Sequence, residues 1–312
     1  MDTLHLVDPE LRPLLDVFPR VELSPENFAA MRAREIPLPP VDRTTTTLDI
    51  LTVPGPDGAP DVRMHVYRPI GATGPLPCIY HIHGGGYVGG SAAEIEPLHR
   101  PLAAELGCAI VSVDYRLAPE TIFPGAIEDC YAGLAWTFGH AGDLGIDSTR
   151  IGVMGESAGG GLAAALALMT RDRGDYPLAF QHLIYPMIDD RTCVREPHPT
   201  AGEFIWHAHN NAFGWTALLG HEPGIDGVSP YAAASRATDL TGLPRTYIST
   251  GALDLFVDED IDYAQRLNRA GVPIELHVYP GGYHGFDFFA AAPVSLQARR
   301  DSNAGLARAL AA

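Results

Sequence analysis

The segment that most restricts the fold of this chain is the pentapeptide GESAG at residues 155–159. It fits the pattern G-x-S-x-G, in which a serine occupies a strained turn between a strand and a helix. Residues 150–154 before it are β-prone and apolar, and residues 160–169 after it are small and apolar, as in a helix buried against a sheet. We expect a Cβ atom at either flanking glycine to collide with backbone across the turn. Alone, the pentapeptide would also fit a glycine-rich turn that merely contains Ser157.

Short apolar segments alternate with helical patterns along most of the chain. The segments predicted as strands are residues 47–53, 62–67, 78–82, 109–113, 151–154, 179–184, 245–249 and 275–279. The segments predicted as helices are residues 98–106, 126–138, 160–169, 258–270 and 294–311. This alternation predicts an α/β fold with a mostly parallel, eight-stranded sheet flanked by helices.

Two stretches fall outside the alternation. Residues 1–45 hold short helical patterns broken by prolines, and residues 188–227 contain no convincing strand. Within the second stretch, residues 204–219 predict an amphipathic helix, whose shared face carries Ile205, Ala208, Ala212, Trp215 and Leu219. We expect 1–45 and 188–227 to form a helical cap over a catalytic core of residues 46–187 and 228–312. The alternative is a helix that simply covers the sheet.

A glycine loop follows the third predicted strand. Residues 83–86 read HGGG, and consecutive glycines leave backbone N–H groups unhindered beside a ligand. In acyl transfer such groups stabilise an oxyanion together with the N–H of the residue after the nucleophile. We therefore predict an oxyanion hole made by Gly85, Gly86 and Ala158. The alternative is a flexible glycine loop without this role.

The general base should follow the last strand, where His284 stands between glycines in the sequence PGGYHGF. Those glycines free the loop to turn the imidazole inward. Among the 13 histidines, His277 lies within a predicted strand, and His81 and His83 flank the glycine loop, where they could orient it but not act as the base. The pair His81 and His83 has no third ligand in the motif, so we predict no metal site.

The acid that orients the base should follow the preceding strand, where two aspartates are available. Asp254 is nearer the strand end and is the preferred candidate. Asp258 fits better as the N-cap of the following helix and is the fallback. The resulting order of Ser157, Asp254 and His284 matches the order of serine, acid and histidine that an α/β-hydrolase sheet predicts.

Together, the HGGG loop, the segment DYRLAPE at 114–120, the GESAGG turn and the carboxy-terminal Asp and His loops resemble the hormone-sensitive-lipase family of α/β-hydrolases. The resemblance runs from about residue 45 to the end. It implies an α/β-hydrolase fold and a carboxylic-ester hydrolase, often of short acyl chains, that needs no cofactor. It also implies a structural role for Tyr115, Arg116 and Glu120, and it is compatible with a homodimer. Glu156 departs from the commonest pattern, which has Asp or Thr before the serine.

Aromatic residues of the insertion and of the strand ends are candidates for a substrate pocket. The candidates are Tyr87, Tyr185, Phe204, Trp206, Phe213 and Trp215. Such a lining favours small aliphatic or aryl esters of short to medium chain length. Alternatively, most of these side chains bury the insertion against the core. An amidase or arylacetamide deacetylase-like enzyme, and a catalytically silent ligand-binding receptor, remain alternative functions for the same residues.

The composition restricts the partners. The formal charge is −17, from 21 basic and 38 acidic residues, and such a surface repels phosphate backbones and anionic lipids. Residues 1–8 lack the basic and apolar regions of a secretory signal, and no stretch is apolar and long enough to cross a bilayer. We therefore expect a cytoplasmic protein that acts on a small-molecule ester, with no nucleic acid and no stable membrane insertion.

Overall fold

The computed structural model describes residues 3–18, 20–34, 38, 40–288 and 291–312. In these residues one sheet contains eight strands, namely β1 (Thr46–Val53), β2 (Val62–Pro69), β3 (Leu76–Ile82), β4 (Ala109–Asp114), β5 (Ile146–Glu156), β6 (Phe180–Ile184), β7 (Arg245–Gly251) and β8 (Ile274–Tyr279). The strand order is β1-β2-β4-β3-β5-β6-β7-β8, with β2 antiparallel to β1 and β4 and every other pair parallel. The predicted mostly parallel sheet is confirmed.

Helices cover both faces of this sheet. Those in the described residues are α1 (Arg12–Val17), α2 (Phe28–Arg32), α3 (Glu96–Leu106), α4 (Gly125–Gly139), α5 (Ala141–Leu144), α6 (Ala158–Arg173), α7 (Ala208–Leu219), α8 (Val257–Arg269) and α9 (Pro293–Leu310). Short 3-10 turns occupy Leu4–Leu6, Asp190–Cys193 and Ala234–Arg236. Because the parallel strands β3, β5, β6, β7 and β8 share one direction, the loops after them meet at one edge of the sheet.

The helix after GESAG is the most deeply buried. Every residue of α6 from Ala158 to Thr170 is buried. Its glycines and alanines let the helix approach the sheet closely, so that its start is fixed against the end of β5. The predicted small-residue helix against the sheet is thereby confirmed.

The helix of the insertion differs from its prediction. It begins at Ala208, whereas the sequence pattern placed its start at Phe204. Ile205 has a φ of 61°, a left-handed backbone that a β-branched residue rarely adopts, and His207 is extended, so neither residue belongs to the helix.

The predicted apolar face of this helix is confirmed at Trp215 and Leu219 and was wrong at Ala208. Ala208 is exposed, and the buried residues are Asn210, Asn211, Gly214, Trp215, Ala217, Leu218 and Leu219. Polar contacts explain the difference for Asn210, because its side-chain amide pairs with the backbone of residues 21–23 from the amino-terminal region. Asn210 Oδ1 accepts from the Leu23 N–H at 2.8 Å, and Asn210 Nδ2 donates to the Val21 carbonyl oxygen at 2.9 Å.

The amino-terminal region also reaches the loop that carries His284. The Asp8 N–H donates to the Gly281 carbonyl oxygen at 3.2 Å, and the Tyr283 hydroxyl donates to the Leu11 carbonyl oxygen at 3.0 Å. Residues 1–2, 19, 35–37 and 39 of the predicted cap lie outside the described residues. No helix among the described residues has the length and apolar character required to cross a bilayer.

Candidate active site

Ser157 lies at the turn between β5 and α6. Its φ of 55° and ψ of −122° form a strained backbone for a residue with a side chain. A Cβ atom at Gly155 would overlap the carbonyl oxygen of Gly159, and one at Gly159 would overlap that of Ile82. The flanking glycines are therefore required by close backbone contacts, as the sequence predicts, and they present a serine side chain at the sheet edge.

Three side chains predicted from separate loops meet at this edge. His284 Nε2 lies 2.9 Å from Ser157 Oγ, and His284 Nδ1 lies 2.8 Å from Asp254 Oδ2. All three residues are buried, and Asp254 is fully inaccessible. With the proton placed on Nδ1, the imidazole donates to the carboxylate and accepts from the serine hydroxyl, which is the arrangement that a general base requires.

Asp254 is itself fixed by the backbone. Its Oδ1 accepts from the Phe256 N–H at 3.0 Å, which leaves Oδ2 directed at the imidazole. The alternative candidate, Asp258, lies in the first turn of α8 with its side chain 68% exposed. The N-cap of that helix is Phe256, so the prediction of Asp258 as N-cap was wrong. The helix begins at Val257, one residue before the aspartate, so Asp258 lies in its first turn.

Aromatic rings surround the imidazole of His284. The centroid of the Tyr185 ring lies 4.9 Å from that of the imidazole, and the two ring planes make an angle of 65°. The centroid of the Phe256 ring lies 5.2 Å from that of the imidazole, with an angle of 89° between the planes. The Tyr185 hydroxyl donates to Asp287 Oδ1 at 2.9 Å, three residues beyond His284 in the same loop. Burial raises the pKa of the Asp287 carboxyl above its ordinary value. These contacts hold the imidazole between apolar surfaces and tie its loop to the end of β6.

The glycine loop after β3 is held by Tyr115. The Tyr115 hydroxyl donates to the His83 carbonyl oxygen at 2.9 Å, and the two rings stack with centroids 4.3 Å apart. His83 Nδ1 donates to the Gly84 carbonyl oxygen at 2.8 Å. Burial lowers the pKa of His83 to about 4, so its ring is neutral at neutral pH. Tyr115 thus supports the backbone that leads into Gly85 and Gly86.

Three backbone amides at this edge are available to a ligand. Within the described part of the chain, the N–H groups of Gly85, Gly86 and Ala158 donate no hydrogen bond. Ala158 is the first residue of α6, and N–H groups in the first turn of a helix have no partner within the helix. The positive end of the helix dipole adds to the attraction for a negatively charged oxygen.

The predicted lining residues fall into two groups. The centroids of the Trp206 and His284 rings lie 6.5 Å apart. The Trp206 ring packs so closely on the glycine loop that a Cβ atom at Gly86 would overlap the indole. Together with Tyr185, it forms the group beside the imidazole. The indole Nε1 of Trp206 donates to Asn211 Oδ1 at 3.2 Å, which fixes the ring.

The other predicted lining residues contact other aromatic side chains. The ring centroid of Phe204 lies 6.0 Å from that of Tyr283, and the ring centroid of Phe213 lies 5.9 Å from that of Phe28 in α2. Trp215 is fully buried and lies 5.2 Å from Tyr87, whose hydroxyl donates to the Met187 carbonyl oxygen.

Sequence reasoning did not identify the partner of Glu156. His81 Nε2 lies 3.0 and 2.9 Å from the two carboxylate oxygens of Glu156, directly before the serine. The partner could be found only from the pairing of β3 with β5, in which His81 lies opposite Met154. Among the described residues, no group of three His, Cys, Asp or Glu side chains is arranged to hold a metal ion.

Comparison with known proteins gives consistent matches. Residues 79–288 match a family model described as the alpha/beta hydrolase fold. Carboxylesterase NlhH of Mycobacterium tuberculosis is 35% identical, covering 97% of this chain and 96% of that protein. An arylesterase of Saccharolobus solfataricus is 31% identical over 90% of this chain and 92% of its own. A solved structure titled bacterial heroin esterase superposes with a TM-score of 0.90 at 42% identity, covering 99% of both chains.

Proposed function

This chain belongs to the hormone-sensitive-lipase family of α/β-hydrolases, and on that premise we propose that it hydrolyses short- to medium-chain carboxylic esters through an acyl-enzyme on Ser157. The observation that carries the proposal is the continuous pair of hydrogen bonds from Ser157 through His284 to Asp254, at 2.9 and 2.8 Å. It supplies a nucleophile, a base and an orienting acid in one buried site.

In acylation, Ser157 Oγ attacks the ester carbonyl carbon while its proton passes to His284 Nε2. Asp254 accepts the hydrogen bond from Nδ1 and stabilises the imidazolium that forms. The carbonyl oxygen becomes an oxyanion that accepts hydrogen bonds from the amides of Gly85, Gly86 and Ala158. The tetrahedral intermediate then expels the alcohol, which takes the proton from His284 and leaves an ester on Ser157.

In deacylation, water takes the place of the alcohol. His284 removes a proton from the water as the oxygen attacks the acyl carbon, and the same amides stabilise the second oxyanion. Expulsion of Ser157 Oγ, which recovers its proton from His284, releases the carboxylic acid. The amides of Gly85, Gly86 and Ala158 and the imidazole of His284 thus have the same roles in both steps.

The substrate range is proposed from the side chains beside the imidazole. We assign Trp206 and Tyr185 to direct substrate contact, and Phe204 to the outer part of the pocket. The packing of Phe213 and Trp215 supports a role in holding the insertion in place. On this view residues 188–227, with the amino-terminal region, form a cap whose aromatic rings limit the length of the ester.

The test is hydrolysis of p-nitrophenyl esters from acetate to palmitate by the purified chain and by Ser157→Ala. We expect the rate to peak at short to medium acyl chains, and Ser157→Ala to lower kcat by about 10⁴- to 10⁶-fold. A Ser157→Ala variant with a near-native rate would overturn the proposal. No turnover of any ester by the folded protein would instead favour the amidase or ligand-binding alternatives.

A further inference from the structure

A buried histidine and a carboxylate join the two strands that lead into the candidate active site. His81, which is fully buried, is the next-to-last residue of β3, and Glu156 is the last residue of β5. The Glu156 side chain is 13% exposed. His81 Nε2 lies 3.0 and 2.9 Å from the two carboxylate oxygens of Glu156, so its N–H points between them. A charge-assisted hydrogen bond that is shielded from water is among the stronger interactions a side chain makes.

The ring of His81 is also contacted from a third strand, β4, and from helix α3. His81 Nδ1 lies 3.0 Å from Ser112 Oγ on β4, and the His99 ring of α3 lies edge-on to the His81 ring at 4.1 Å. Burial lowers the pKa of His99 well below its ordinary value, so His99 is neutral beside the pair. His81 therefore has one direction in which to donate from Nε2, toward Glu156.

Glu156 faces the side of the sheet covered by α3 and α9. It lines a cavity of about 790 Å³ between these helices, together with His99, Met154 and Tyr185. The substrate proposal places the ester at the glycine loop and the aromatic rings of Trp206 and Tyr185. Because both oxygens of the carboxylate face His81 Nε2, Glu156 acts on the reaction through the backbone of its neighbour Ser157.

The two strand ends are in close contact immediately beyond the pair. A Cβ atom at Gly84 would lie 2.9 Å from the Glu156 carbonyl oxygen, so the glycine loop rests directly on the serine turn. We propose that the hydrogen bond from His81 to Glu156 fixes the separation between the amides of the glycine loop and Ser157 Oγ. His81 and Glu156 are thus positioning residues for the oxyanion hole, an inference that rests on the proposed function.

The physical consequence is specific to the transition state. The amides of Gly85 and Gly86 bind an oxygen that becomes negatively charged only as Ser157 attacks. A displaced loop weakens this interaction and leaves ground-state binding of the ester unchanged. Loss of the pair should therefore lower kcat and leave KM nearly constant.

The test compares four variants with wild type on p-nitrophenyl butyrate. Glu156→Ala and His81→Phe each remove the hydrogen bond, and we expect kcat to fall about 10- to 100-fold with KM within about threefold. Glu156→Gln keeps an oxygen that accepts from Nε2, and we expect it to recover most of the loss. The double variant Glu156→Ala/His81→Phe should be no slower than the worse single variant, because both remove the same contact.

The matched control is His182→Phe, the same substitution at a buried histidine of β6 whose Nε2 lies 2.8 Å from Ser302 Oγ. We expect it to lower the thermal midpoint without lowering kcat at 25 °C. The inference is overturned if Glu156→Ala keeps wild-type kcat, if the single-variant losses multiply in the double variant, or if His182→Phe lowers kcat as much. The serine mechanism is tested separately by Ser157→Ala. If Ser157→Ala is inactive while Glu156→Ala keeps wild-type kcat, the positioning role of Glu156 is excluded and the serine mechanism is retained.

Discussion

At the serine turn on the carboxyl edge of the sheet, backbone atoms pack directly on one another, whereas Trp206 and Asn210 of residues 188–227 make their contacts through side chains. At the edge, Gly155 and Gly159 pack against carbonyl oxygens with no room for a Cβ atom. In the insertion, Trp206 packs on the glycine loop and Asn210 pairs with the amino-terminal region. Backbone contacts fix the reacting groups rigidly, and side-chain contacts can be altered one at a time. Residues at the edge should therefore determine the rate of the chemical step, and residues of the insertion should determine which esters the enzyme accepts.

The largest effect should follow from changing the orienting acid at the edge. Asp254→Asn keeps the shape of the residue, but its amide can donate to His284 Nδ1 and stabilise the wrong tautomer, so we expect kcat to fall by about 10⁴-fold. Asp258→Asn is the matched control, since that side chain is 68% exposed, and its kcat should stay near wild type. Steady-state kinetics of both variants would contradict the assignment if Asp258→Asn were the slower enzyme.

A methyl group at the serine turn should have the next largest effect. In Gly159→Ala the new Cβ meets the carbonyl oxygens of Ile82 and His83, which belong to backbone that cannot move away. We expect loss of activity and a thermal midpoint lower by several degrees. Gly139→Ala, at the end of α4 with no atom within 4 Å of the new Cβ, should be neutral or slightly stabilising. Equal effects of the two substitutions would show that the close contacts at the turn do not matter.

The two tryptophans of the insertion should differ from each other. Trp215→Ala removes a fully buried ring, so we expect the free energy of unfolding to fall by about 3–5 kcal/mol. Trp206→Ala opens space over the glycine loop, and we expect a few-fold shift of kcat/KM toward longer acyl chains with little loss of stability. Urea denaturation and the p-nitrophenyl ester series measure the two quantities. An unchanged chain-length profile in Trp206→Ala would remove this residue from the pocket.

The smallest effect concerns how two buried histidines change the stability of the protein with pH. Burial lowers the pKa of His83 to about 4 and of His182 to about 3. As the pH falls below about 6.5 the unfolded chain takes up protons that these folded histidines do not, so stability is lost toward pH 4. The contribution of these two histidines to the free energy of unfolding should therefore fall between pH 7.5 and 5, and urea denaturation of wild type beside His182→Asn measures it. His182→Asn should remove a contribution of up to about 1.4 kcal/mol per pH unit from the slope of the free energy of unfolding against pH.

Features defined by short runs of residues could be predicted from the sequence, whereas features that depend on contacts between distant residues could not. The strands and the loops with Ser157, Asp254 and His284 follow from local patterns, because each is defined by a short run of residues. The early start of β5 at Ile146 was missed because residues 147–150 are polar and resemble a loop. The start of α7 was predicted too early, and Asn210 was missed from its buried face because it pairs with residues 21–23, a contact that no local pattern contains. The partner of Glu156 likewise depends on the register between β3 and β5.

The most direct test of the account is to trap the covalent intermediate. Wild type and Ser157→Ala would be treated with a diethyl p-nitrophenyl phosphate, which phosphorylates an activated serine, and the intact masses would be measured. We predict one diethylphosphoryl group per wild-type chain, mapped to Ser157 by peptide sequencing, and none on Ser157→Ala. A modified residue other than Ser157, or an unmodified wild-type chain that still hydrolyses esters, would contradict the account.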